Sequence, residues 1–200
     1  MKNFIFLFIA CQLLFSCKTV SFQLTPINDY VSSLNLKDSD TIMVIEEKIN
    51  NNVTIDIFKG QIYFEPFTSK YERYEGVEKP LFNEKYWEKM KCKYENKYIE
   101  DRWVKGDYWT INDFNHKNIV FIKQEKFPDP GKYEVFDFKE NYKVFSFSKP
   151  IYYKHHKYVA FSVTSTTTDN KYIDDIFIVV MVKINGKWSV LEKVSDGVYR

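Results

Sequence analysis

The clearest pattern lies in the last third of the chain. Val144-Phe145-Ser146-Phe147-Ser148 reads as a strand that stops at Pro150. Val159, Phe161 and Val163 alternate with Ala160, Ser162 and Thr164, the period-two signal of a strand with one apolar face. Phe177 to Ile184 is an apolar strand and Trp188 to Val194 its partner. Asn185-Gly186 joins them, and both residues tolerate the positive φ of a type I′ turn, so a hairpin is predicted.

Toward the N-terminus the period changes. Thr25 can cap a helix whose first position is Pro26, followed by Ile27, Tyr30, Val31 and Leu34 on one face. Thr41 to Ile45 reads as a buried strand. Asn50-Asn51-Asn52 reads as a turn, with Val53, Ile55 and Ile57 alternating after it, which predicts a hairpin over this stretch. Gln61 to Phe64 suits a further strand or a loop ending at Pro66, and the charged, tyrosine-rich run from Phe67 to Lys79 suits a surface excursion. Asn83 can cap a second helix, with Phe82, Tyr86, Met90 and Tyr94 every fourth residue and Trp87 widening that face. Trp103 to Phe114 is ambiguous, Ile119 to Ile122 is a strand, and Pro128-Asp129-Pro130-Gly131 forces a turn. No internal repeat is present. The expected fold is α+β: a single domain over residues 25–200 with a mainly antiparallel β-sheet and two or three helices.

The first residues follow another logic. Lys2 precedes an apolar run from Phe4 to Phe15 broken only by Gln12. That run is too short for a membrane-spanning helix, which needs about 20 residues. A charged start, a short apolar core and a small residue before a cut are the parts of a secretory signal. Leu14, Ser16 and Cys17 resemble the lipobox of bacterial lipoproteins, with Phe15 bulkier than the residue usual at its position. The resemblance implies cleavage before Cys17, acyl chains on that cysteine, a signal peptide over 1–16 and a tether over 17–24. Each buried methylene contributes about 0.8 kcal/mol and one chain binds only marginally, so two or three chains would make attachment lasting.

Composition narrows the remaining choices. The formal net charge is +2, so no strong field draws nucleic acid, and none is expected as a partner. Of three cysteines, Cys11 leaves with the signal and Cys17 carries lipid. Cys92 then has no internal disulfide partner and reads as a small, partly buried residue. With 15 Tyr and 18 Phe the chain is rich in rings, which a sugar-stacking surface, core filling or A/T-rich codons would each explain.

No strong catalytic signature is present. A Gly-x-Ser-x-Gly elbow and a glycine-rich phosphate loop are absent. His155 and His156 are neighbours between two strands, a poor start for a metal site, and Asp174-Asp175 and Glu46-Glu47 suit strand ends and turns better than a catalytic pair. Neither metal nor cofactor is expected. The candidate binding surface is the flat aromatic group Trp103, Tyr108 and Trp109, with the polar loop holding Thr167 and Asp169.

The succession Phe147 to Ile151, Tyr158 to Phe161 and Asn185-Gly186-Lys187-Trp188 resembles a group of uncharacterised exported proteins of Bacteroidota. That resemblance implies a shared sheet scaffold and no known activity. Surface-exported lipoproteins of that phylum tend to carry acidic residues after the cysteine, whereas Lys18-Thr19-Val20-Ser21 follow here, which points to an outer-membrane protein facing the periplasm. The expected function is a non-enzymatic envelope lipoprotein, membrane-bound through Cys17, that binds a protein or glycan partner. The alternatives are an envelope hydrolase assembled only on folding and a periplasmic inhibitor of the immunity type.

Overall fold

The computed structural model describes residues 25–37, 39–59, 62–65, 70–73, 81–99, 101–126, 140–168 and 176–195. Cys17 with residues 1–16, the turn expected over 128–131 and Asp169 lie outside them. The elements run α1 (Thr25–Ser33), β1 (Ile42–Ile45), β2 (Glu47–Ile49), α2 (Asn51–Lys59), β3 (Ile62–Glu65), β4 (Lys70–Arg73), α3 (Glu84–Tyr94), β5 (Trp103–Tyr108), β6 (Ile119–Ile122), β7 (Lys143–Phe147), β8 (Ile151–Tyr153), β9 (Tyr158–Thr167), β10 (Phe177–Ile184) and β11 (Lys187–Ser195). The chain is an α+β protein. None of the described helices is long and apolar enough to cross a membrane.

The main sheet has the order β11-β10-β9-β7-β1-β6, with β8 also paired to β9. Pairing is antiparallel among β7 to β11, while β1 runs parallel to both β6 and β7. All four residues of β1 are buried, as expected of a parallel strand covered on both faces. The 185–186 turn joins β10 to β11 with φ of 50° at Asn185 and 86° at Gly186, the left-handed pair a type I′ turn requires. Two further ribbons, β2-β5 and β3-β4, form separate two-stranded sheets.

Both faces of the sheet are covered. On one, Ile27, Tyr30 and Val31 of α1 pack against Phe147, Phe161, Val163 and Met181. On the other, Ile55 and Phe58 of α2 and Trp87 and Met90 of α3 pack against Ile151, Tyr153, Ile178 and Val180. The alternation in β9 announced only the first face, yet Ala160, Ser162 and Thr164 are buried as well. Their small side chains let α2 lie close to the strand.

The hairpin expected over 41–57 does not form. Residues 51–59 are helical, and Thr54, Ile55 and Phe58 supply an i, i+1, i+4 buried face that period-two reading of Val53, Ile55 and Ile57 overlooks. The asparagines start this helix instead of turning a hairpin: the Asn52 backbone N–H donates to Asn50 Oδ1 at 3.1 Å. Asn83 caps α3 as expected, its side chain accepting from the Tyr86 N–H. Cys92 is exposed on α3 and is no part of the core, because the buried face of that helix runs through Trp87 and Met90.

Candidate functional site

The three aromatic side chains read as one surface point in different directions. Trp109 is 3% exposed. Its indole Nε1 donates to the Phe147 carbonyl at 3.2 Å, and its ring meets Phe114 edge-on. It therefore offers no face to a ligand and belongs to the core. Tyr108, on the opposite side of the strand end, is 47% exposed. Trp103 is half-buried against Met43, Ile45 and Val144, beside a cleft of about 10 Å³ that has room for a single water. Thr167 lines a different groove, together with Tyr30 and Lys193.

The β2-β5 ribbon builds a more promising arrangement. Lys48 pairs with Val104 and Glu47 with Tyr108, so Lys105, Gly106 and Asp107 are left over as a bulge. Gly106 supports it with φ of 82°. The bulge carries Asp107 back over Lys48, whose Nζ lies 2.6 Å from Asp107 Oδ1. Lys149, in the link between β7 and β8, places its Nζ 2.6 Å from Asp107 Oδ2. The Lys48 side chain is only 10% exposed, and its ammonium lies 4.6 Å from the centre of the Trp109 ring. That contact adds a cation–π attraction to the ion pair. Burial works against the Asp107 carboxylate, but hydrogen bonds from Lys149 and Lys48 and their charges outweigh it and hold its pKa below the usual carboxylate value.

This triad borders an open groove of about 360 Å³ that Tyr94, Asn96 and Tyr98 also line, a size within the range of small-molecule sites, roughly 300–1,000 Å³. The segment after α3 is clipped in place by amides. Asn50 Nδ2 donates to the carbonyls of Ile99 and Asp101 at 2.8 and 3.1 Å. Asn52 and Asn96 exchange two hydrogen bonds of 2.9 and 2.8 Å. Tyr98, at the rim, is 95% exposed. A ring so free of packing sits on a wall whose backbone is tied down at several points.

The groove is suited to recognition. Two ammonium groups share one carboxylate, which leaves donor capacity beside an acceptor whose two oxygens are both engaged. Nearby, the hydroxyls of Thr54, Ser148 and Ser162 form a closed buried cluster linking α2 to the sheet, a device of packing. His155 and His156 stand exposed in the turn after β8, against Tyr86 and Tyr152. His116 bonds the Asp40 carbonyl at 2.8 Å. Among the described residues no three His, Cys, Asp or Glu side chains gather where a metal could sit.

Comparison with protein-family models, with curated proteins and with solved structures finds no match for this chain. Lys48, Asp107 and Lys149 were missed by sequence reasoning. Lys48 and Asp107 are 59 residues apart, and neither sits in a motif; only Gly106 inside an uncertain strand hinted at a bulge.

Proposed function

We propose that this chain is a cell-envelope lipoprotein, held in the outer membrane by acyl chains on Cys17 and facing the periplasm. Its domain binds a glycan in the Lys48–Asp107–Lys149 groove without chemical change. One observation carries the binding assignment: a nearly buried lysine and a second lysine are fixed on one carboxylate, in a groove that the exposed Tyr98 also lines. Sugars present hydroxyls that accept from ammonium groups, and C–H faces that lie against tyrosine rings.

A hydrolase reading draws on Glu95 and Asp107, which line the same groove. Catalysis by a carboxylate pair needs an oxygen free to attack or to take a proton. Asp107 has Lys48 on one oxygen and Lys149 on the other, an arrangement for positioning.

The anchor is tested by intact-mass measurement of protein extracted from membranes. The expected chain starts at Cys17 and bears acyl mass, and Cys17→Ser abolishes both the acyl mass and membrane retention. The groove is tested by titrating chitotetraose into the chain from residue 17 onward carrying Cys17→Ser. Tyr98→Ala and Lys149→Met are each expected to weaken binding about tenfold, and product analysis is expected to return the oligosaccharide intact. Equal binding by both variants defeats the groove assignment, and released shorter sugars favour the hydrolase.

A further inference from the structure

A second groove opens on the other side of the molecule, where α1 crosses the ends of β7, β9, β10 and β11. It measures about 390 Å³, again within the range of small-molecule sites. Tyr30, Leu34, Phe145 and Phe177 give it an apolar floor, and Lys143 and Lys193 stand at its edges. Ser165, Thr166 and Thr167 add hydroxyl-bearing positions along the end of β9. Among the nine described residues that line it, two are lysines and none is acidic.

We propose that this groove binds a small amphiphilic carboxylate, an apolar body of about ten carbons ending in one negative charge. Three features of the groove support this. The Lys193 ammonium lies 5.6 Å from the centre of the Tyr30 ring and 5.4 Å from that of Phe177. A cation held over two rings above an apolar floor is placed where a carboxylate can meet it while the attached chain lies on the rings. Lys143 is exposed at the start of β7, three strands from Lys193, so each edge of the groove carries an ammonium group and no carboxylate is among the described lining residues. Tyr30, 1% exposed, lines the groove as well, and no described residue hydrogen-bonds its hydroxyl. Burial pushes this phenol up to about 12, so it stays a neutral donor at any physiological pH.

The charge pattern separates this site from the first groove. There a carboxylate occupies both lysines; here Lys193 lies over two rings and no acidic side chain is among the described lining residues. A neutral sugar would bring no counter-charge to Lys193 and would set its hydroxyls against an apolar floor, whereas an anionic amphiphile satisfies floor and edge together.

The test uses the chain from residue 17 onward carrying Cys17→Ser, free of detergent, titrated with decanoate below its micellar concentration. Binding is followed by calorimetry and by the ring signals of Phe145 and Phe177. Saturable one-to-one binding is expected, at least tenfold weaker for the Lys143→Gln/Lys193→Gln double variant and at least tenfold weaker for acetate. Decyltrimethylammonium is expected not to compete. Both lysines are exposed, so the double variant should keep the parent's unfolding midpoint, and each single variant gives an independent reading. The proposal is overturned by absence of saturable decanoate binding. It is equally overturned if the lysine variants bind unchanged, or if the cationic amphiphile binds as tightly.

Discussion

The hydroxyl of Thr54 on α2 lies 2.7 Å from the hydroxyl of Ser162 on β9, and both side chains are fully buried. The same Thr54 oxygen accepts from the Ser162 backbone N–H at 3.1 Å and lies 2.9 Å from the Ser148 hydroxyl. One side chain therefore docks a helix on β9 and on the residue that follows β7. Thr54→Val keeps the shape and removes the oxygen, leaving its partners short of a bond in a dry interior. The expected loss is about 1–3 kcal/mol in urea unfolding. Thr54→Ser keeps the oxygen and should cost less; equal losses would mean that packing of the methyl group, and not the hydrogen bonds, is what matters.

Removing either member of the Lys48–Asp107 pair should have unequal consequences. Lys48→Met leaves Asp107 with Lys149 still 2.6 Å away. Asp107→Asn leaves a nearly buried ammonium with no carboxylate beside it. Breaking one side of a buried pair costs about 3–5 kcal/mol when the remaining charge is stranded. Asp107→Asn is therefore expected to approach the lower end of that range and Lys48→Met to fall well below it. Equilibrium denaturation of both variants checks the order.

Acid should reveal the same carboxylate. Its folded pKa is depressed by Lys149 and Lys48, so its contribution to stability is complete above the unfolded value of about 3.9 and fades as pH falls through the folded value. The stability gap between the parent and Asp107→Asn is expected to be constant near neutrality and to narrow below about pH 4. Unfolding midpoints from pH 3 to 7 would show it. A gap unchanged at the acid end would mean that Asp107 is not held ionised by its lysines.

At the β10-β11 turn, a Cβ on Gly186 would meet no atom within 4 Å. Any penalty for Gly186→Ala must then come from its φ of 86°, and about 1–2 kcal/mol is expected. Gly106 has φ of 82° and equally open space, so Gly106→Ala should cost a similar amount. It should also disturb ligand binding at the first groove, because this residue supports the bulge that carries Asp107.

Elements written in local periodicity were legible. The faces of α1 and α3 follow from residues three and four apart, the Asn83 cap from one residue type, and the last hairpin from Asn185-Gly186 between two apolar runs. Residues 51–59 carry two periods at once: Val53, Ile55 and Ile57 satisfy that of a strand, while Thr54, Ile55 and Phe58 satisfy that of a helix. Only the presence of β9 underneath selects the second. Trp109 is ambiguous for a related reason: a tryptophan's flat face and its indole N–H suit a binding site and a core equally, until Phe147 and Phe114 enclose it.

What the sequence determined by itself is therefore local conformation where one period stands alone: the helical faces of α1 and α3, the extended runs of the last third, and the Asn185-Gly186 turn. These depend on backbone sterics and on side chains a few residues apart. Tertiary structure alone decided that β1 runs parallel between β6 and β7 and that the sheet is covered on both faces. It also decided that Lys48, Asp107 and Lys149, drawn from separate segments, form one cluster. Such contacts join residues far apart in the chain, and the burial that strengthens a charge pair exists only once the whole fold has excluded water.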